Sequence, residues 1–292
     1  PVTMMDRLNT LRASSATIIP RLYPNQRQVF FDPSGGAGIL ADVKAMSALG
    51  AYATAVIAAL TAQNTQGVTG ISPVPADFVR QQIDPLFADV RIDGVKIGML
   101  GQEAVTTVVA ERMAHFKPQH LVLDPVMIAK SGDHLLEKSA VHALREQLVP
   151  QCTMITPNLP EAGVLLDARP VETVKEMRQA AERLRRLMNH SDQRWVFLKG
   201  GHLPGSDCID LLHDGDKMIE MPAKRIDTAN THGTGCTLSA ALAALLPQYS
   251  NVPDAALAAK KYLYEAIARS GELTVGSGHG PVHHFHKLWP SS

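Results

Sequence analysis

Five short apolar runs, at 53–60, 95–99, 120–124, 153–155 and 195–199, alternate with longer stretches of helical periodicity. That alternation restricts the chain more than any other feature. Short strands joined by helices build βαβ units, which lay their strands parallel in one sheet and put helices on both of its faces. Helical patterns fall at 77–90, where Pro85 predicts a kink, and at 102–115, 138–148 and 171–189. The runs 208–213 and 217–221, separated by Asp214-Gly215-Asp216, predict an antiparallel hairpin at an edge. Helices over 236–246 and 254–270 follow, the second stopped by Gly271. No composition shift, linker, repeat or low-complexity tract divides the chain, so the expectation is a single α/β core with a mostly parallel sheet.

Charge and cysteine content narrow the function classes. The 28 basic and 28 acidic residues balance to a formal net charge of zero, which argues against a nucleic-acid coat or an electrostatic membrane binder. The longest nearly apolar run, 51–62, is shorter than the roughly 20 residues of a membrane helix. Residues 1–30 carry arginines and prolines but no continuous apolar stretch, so no secretory leader is expected. The three cysteines, Cys152, Cys208 and Cys236, are too few for a disulfide framework and suit a reducing compartment. A cytoplasmic globular protein is the expectation, with Cys152 and Cys208 as core packing.

In a parallel sheet, ligands lie beyond the carboxyl ends of the strands. The residues there are polar: Gln63-Asn64 after the first run, Asp124 after the third, Thr156-Pro157-Asn158 after the fourth and Lys199-Gly200-Gly201-His202 after the fifth. The strongest signal is Asn230-Thr231-His232-Gly233-Thr234-Gly235-Cys236, which runs directly into an alanine- and leucine-rich helix. Converging backbone N–H groups and the positive end of the helix dipole bind a phosphate or a developing oxyanion. A packing turn before a buried helix would also use the glycines, but not two threonines and a histidine. Cys236 sits where the dipole favours a thiolate, which suits a general base better than a nucleophile.

A second glycine loop, 32–38, opens a helix at Ile39 with neither Walker nor dinucleotide spacing, and reads equally as a packing turn or a close approach to a ligand. Asp124 and Glu161 are oxygen donors at neighbouring strand ends that can hold Mg²⁺ over a nucleotide's phosphates, largely through water. Glu161 alone would merely complement a helix dipole. Four histidines between 279 and 286 match no zinc spacing and predict a solvated or loosely packed terminal segment.

Eight segments in order carry a resemblance: DPSGGAG at 32–38, ALTAQNTQGV at 59–68, KIGML at 96–100, LDPVMIAKSGD at 123–133, TPNLPEA at 156–162, LKGGH at 198–202, NTHGTGCTLSAALAAL at 230–245 and GPVHHFH at 280–286. Together they resemble the bifunctional hydroxymethylpyrimidine kinase/phosphomethylpyrimidine kinases of thiamine biosynthesis, within the ribokinase-like superfamily. The resemblance implies a three-layer α/β/α sandwich, usually a homodimer. It also implies MgATP-dependent phosphorylation of 4-amino-5-hydroxymethyl-2-methylpyrimidine to the monophosphate and then the diphosphate.

It further implies an anion hole at Gly233, Thr234, Gly235 and Cys236, with Cys236 where most relatives carry a catalytic aspartate. Substrate contacts are implied for Gln63, Asp42, Gly36, Met99 and Val126. Lys199, Asn158 and Thr231 would lie near ATP, and Asp124 and Glu161 would organise Mg²⁺. Residues 1–31 depart from the pattern: an apolar strand ending in a small Ala-Gly-Ser/Thr step is replaced by a segment ending Phe30-Phe31. The expected division is therefore an atypical segment over 1–31 and a kinase domain over 32–292. Within the same superfamily the alternative is a pyridoxal or pyridoxine kinase, which Gln63-Asn64 and Cys236 disfavour. Outside catalysis the alternative is a protein that binds a nucleotide or thiamine precursor.

Overall fold

The computed structural model describes the backbone over 23–127, 138–190 and 193–290, so the expectations at 1–22 and the 128–133 part of the LDPVMIAKSGD motif lie outside the described residues. Among the described residues the strands form one ten-stranded sheet. Its strands are β1 (Tyr23–Phe31), β2 (Ala51–Ala53), β3 (Val56–Gln63), β4 (Val68–Pro73), β5 (Gly94–Ile97), β6 (Leu121–Leu123), β7 (Met154–Ile155), β8 (Trp195–Leu198), β9 (Asp207–His213) and β10 (Met218–Lys224). The spatial order is β10-β9-β8-β7-β6-β5-β1-β3-β4, with β2 also on β1. Strands from β3 through β1 and β5 to β8 are parallel, and the flanking β4, β9 and β10 pair antiparallel.

Alternation along the strands divides the core between two faces. Leu121 and Leu123 face one way and Val122 the other; Val196 and Leu198 oppose Phe197 in the same manner. The first face is covered by α2 (Ala76–Asp89), α3 (Glu103–Phe116), α4 (Lys138–Ala143), α5 (Leu159–Leu165) and α6 (Val174–Leu187). The second carries α1 (Gly38–Ala48), α7 (Thr234–Leu245) and α8 (Val252–Ala268). This is the three-layer α/β/α sandwich expected from the resemblance. Local chemistry starts the helices: Asn158 with Glu161, and Thr173 with Glu176, form reciprocal capping boxes, and Asn251 caps α8. Helix α7 is apolar on every side, and all of 236–245 is buried between α1, α8 and the sheet. Each of its leucines contributes about 1.5–3 kcal/mol by burial.

Several expectations shift. Strand β1 runs up to the expected division at 31/32 from mid-sheet, where it pairs with β2, β3 and β5. The run at 53–60 divides into β2 and β3, and α2 continues through Pro85. Residues 144–148 form a π turn rather than the end of a regular helix. The histidine-rich tail is not solvated: His283, His284 and His286 are buried, and Tyr262 Oη donates to the His284 carbonyl at 2.8 Å. His284 Nε2 meets Thr237 Oγ1 of α7 at 3.0 Å. Among the described residues no helix is long and apolar enough to cross a membrane.

Candidate active site

Chain order reverses between β1 and β5: the chain builds outward from β1 through β3 to β4, then returns on the other side from β5 to β8. The crevice beyond the carboxyl ends at such a reversal is where a doubly wound sheet takes its ligand. The loop 32–37 leaves β1 there, Met99 follows β5, Asp124 follows β6 and Lys199 follows β8. Helix α7 packs over β1, β5 and β6 and brings its first turn to the same crevice.

Gly233 is where the turn has to be glycine. Its φ is +77°, and a Cβ there would collide with the Gly36 carbonyl, so the two glycine loops lie back to back. Gly235 has a different constraint. A Cβ on it would stand 3.3 Å from Lys199 Nζ and 3.5 Å from Asp124 Oδ2. The donor-rich start of α7 is therefore against a cation and a carboxylate.

Lys199 Nζ donates to Asp124 Oδ1 at 2.8 Å and lies 3.9 Å from Glu161 Oε2. Asp124 also accepts from Thr156 Oγ1 at 3.2 Å and Ser239 Oγ at 3.3 Å. Burial opposes ionisation of Asp124, but Lys199 and Lys96 outweigh it and hold the carboxyl below its ordinary range. Glu161 differs. Burial, reinforced by the Asp124 charge, pushes it up to about 7 against the pull of Lys199. Burial also works against the Lys199 ammonium, yet the two carboxylates win and raise its pKa. Asn158, expected near ATP, accepts at Oδ1 from the Glu161 N–H at 2.8 Å and bridges in parallel to Lys199.

The opposite side of the site is apolar. Cys236, Met99, Ala37 and Ala59 form one small buried cluster, with Val126 packed on it. Above that floor, His232 Nε2 lies 2.9 Å from Asp32 Oδ2 and 3.4 Å from Gln63 Nε2. Gln63 Oε1 accepts from Thr61 Oγ1 at 3.1 Å. Asp32 is fully buried and also accepts from the Ser34 and Ala37 N–H groups, at 2.9 and 3.0 Å. Burial resists its charge, but His232 and these donors keep its carboxyl below the ordinary range.

The structure thus gathers Gly233–Cys236, Asp124, Glu161, Lys199 and Asn158 at one side, and Gln63, Gly36, Met99 and Val126 at the other. Thr231 stays in the glycine turn, its N–H on the Ala229 carbonyl at 3.0 Å. Asp42 is the correction. It is wholly buried with Lys96, 2.9 Å apart, so its carboxylate faces an interior ammonium that ties α1 to β5. Asp32 was missed as a site residue, although a Pro-Ser-Gly-Gly step after an aspartate signals a side chain that caps the following N–H groups.

The family model for phosphomethylpyrimidine kinase matches residues 32–283. The chain belongs to the phosphomethylpyrimidine kinase family. It is 51% identical over 258 residues to the hydroxymethylpyrimidine/phosphomethylpyrimidine kinase of Escherichia coli K12, covering 88% of this chain and 96% of that one. Among solved structures it is similar to an ADP complex of Bacillus subtilis pyridoxal kinase, at TM-score 0.82 and 30% identity, over 91% and 98% of the two chains. A phosphomethylpyrimidine kinase from Clostridium difficile 630 aligns at TM-score 0.74 and 35% identity, over 84% and 99%. The fold expected from the resemblance, ribokinase-like α/β/α, is the fold these kinases share with this chain.

Proposed function

We propose that this chain phosphorylates 4-amino-5-hydroxymethyl-2-methylpyrimidine with MgATP, first to the monophosphate and then to the diphosphate used in thiamine biosynthesis. The observation that carries the reading is the double role of the α7 start. Its Gly235 packs against Lys199 and Asp124, while Cys236 closes an apolar floor with Met99 and Val126. One turn thereby meets both a phosphoryl group and a flat ring.

The chemistry follows from that placement. Cys236 takes the proton of the 5-hydroxymethyl group, whose oxygen forms a bond to the γ-phosphorus as the bond to the β–γ bridging oxygen breaks. The electron pair leaves with ADP. The N–H groups of Gly233–Cys236 and the Lys199 ammonium hold the charge that gathers on the transferring oxygens; such positioning and charge stabilisation make up most of phosphoryl-transfer catalysis. The buried carboxyls of Asp124 and Glu161 stand together beside Lys199, and hard oxygen donors of this kind fit Mg²⁺. Asp124 and Glu161 would hold it largely through water, and the ion would neutralise phosphate charge. Gln63 would read the ring's 4-amino group and adjacent nitrogen. A homodimer and a cytoplasmic setting complete the proposal.

The greater identity to the Escherichia coli pyrimidine kinase than to the pyridoxal kinase supports the pyrimidine as substrate. The test is mass detection of products after incubation with MgATP and either the pyrimidine alcohol or pyridoxal. Pyrimidine monophosphate and diphosphate are the expected products. ATP consumption that pyrimidine does not stimulate, or that pyridoxal stimulates more strongly, would overturn the reading.

A further inference from the structure

The tail segment 276–281 crosses the surface between two parts of the site that no other described segment joins in this way. At one end it grips the loop 64–67, which follows Gln63 at the end of β3. His279 N–H donates to the Thr65 carbonyl at 2.9 Å, Gly278 N–H to Thr65 Oγ1 at 3.2 Å, and Gln66 Nε2 to Ser277 Oγ at 2.9 Å. The approach is backbone to backbone: a Cβ on Gly278 would collide with the Thr65 carbonyl and the Gln66 nitrogen. At the other end it grips the glycine turn. His232 N–H donates to the Gly280 carbonyl at 3.1 Å, and His232 forms a parallel bridge with Pro281.

Past Pro281 the chain is anchored. Val282, His283 and His284 are buried, His283 N–H donates to the Ala266 carbonyl of α8 at 2.9 Å, and His284 is held on α7 through Thr237. The strap therefore has a fixed root in the core and two grips beside the 3.4 Å Gln63–His232 contact, one on Thr65 and Gln66 just after Gln63 and one on His232 itself. Among the described residues the strap adds a second link between the loop 64–67 and the glycine turn, beside that long contact of the neighbouring Gln63.

We propose that Thr65 and Gly278 are positioning residues for the pyrimidine: the strap sets the distance between Gln63 and the α7 start, and so selects for the ring without touching the nucleotide. This rests on the pyrimidine-kinase reading and adds to it a specificity element outside the residues that meet ligand.

The test compares the full chain with Gly278→Ala and with the milder Thr65→Val, which keeps the side chain's shape and removes the hydroxyl that accepts from Gly278. A shift of the order of 1 Å in a positioned group costs up to about a hundredfold, so Gly278→Ala is expected to raise KM for the pyrimidine about 10- to 100-fold. Loss of one hydrogen bond in Thr65→Val corresponds to about three- to tenfold, restored by Thr65→Ser. KM for ATP should stay within about twofold in all three, since none changes a group near Lys199. Equal rises in both KM values, or an unchanged pyrimidine KM in both Gly278→Ala and Thr65→Val, would overturn the proposal.

Amide hydrogen exchange supplies a readout free of any substrate. Faster exchange in 63–67 together with 230–236 in Gly278→Ala supports the strap, and unchanged exchange overturns it. If the wild-type chain does not turn over the pyrimidine, the proposed function falls while exchange still decides the strap.

Discussion

Cys236 lies buried at a helix start, and its replacement isolates the proton transfer proposed for it. Cys236→Ala should lower turnover by roughly 10²–10⁴-fold, the span of a positioned acid or base, with the thermal midpoint little changed. Near-normal turnover would leave the cysteine as packing. Gln63 is tested by discrimination. An unpaired amide in a desolvated pocket costs about 1–3 kcal/mol, or roughly five- to 150-fold. Gln63→Leu should weaken binding of the aminopyrimidine by such a factor while an analogue lacking the amino group loses much less; calorimetric titration of both reads the difference. Glu161 gives a pH signature in metal-free buffer. Its carboxyl is raised by burial from 4.5 to about 7, so the neutral acid is the form the fold favours. The stability this group contributes is full below its unfolded pKa and is lost as pH rises through about 7. The melting temperature of the wild type should therefore fall relative to Glu161→Gln between pH 4.5 and about 7 and level off above, and parallel curves would refute the burial argument. Single residues were unevenly legible in the sequence. Cys236, Lys199 and Asp124 stand at strand or helix ends, where position alone marks them. Asp32 and the strap residue Thr65 act through contacts made by distant segments, and no local spacing encodes those.

Elements are held to one another by a few buried polar links. Lys96 on β5 and Asp42 on α1 have side chains with no exposed surface, and their 2.9 Å ion pair fixes the helix behind the 32–38 glycine loop. Lys96→Met leaves a buried carboxylate without its cation and should cost about 3–5 kcal/mol in denaturant unfolding. Lys96→Met combined with Asp42→Leu should recover most of that loss, since an apolar pair of similar volume is often neutral or better. A double variant no more stable than the single one would mean that the charges serve more than each other. Sequence periodicity located most elements to within a few residues, because helices with capping boxes and strands buried on both faces advertise themselves. It missed β4, whose side chains are largely exposed and whose Gly70 and Pro73 read as turn, because an edge strand takes its conformation from its neighbour. The resemblance-based expectation for Asp42 failed for a related reason: an aspartate after a glycine loop looks like a ligand contact until β5 is seen to supply its lysine.

For the molecule as a whole, the alternation of short strands and helices was enough to give the layer architecture, but not which strand lies at the centre. β1 reads YPNQRQVFF, with no alternating apolar pattern, and its standing comes entirely from three neighbours that pair along it. The site inherits the same property, since its parts come from Asp32 to the strap and meet only when the sheet is complete. Helix α7 has a further consequence. The donors proposed to meet the transferring charge begin a helix buried throughout 236–245, at the centre of one face of the sheet. Those dipoles have no room to turn, so the environment spends little reorganisation energy at the moment of reaction. The same confinement denies the enzyme a premelting state: this helix loosens only when that whole side of the core does. Heat inactivation followed by residual activity should overlay the unfolding transition followed by circular dichroism, and an activity loss several degrees earlier would place the weakest part of the site elsewhere than α7.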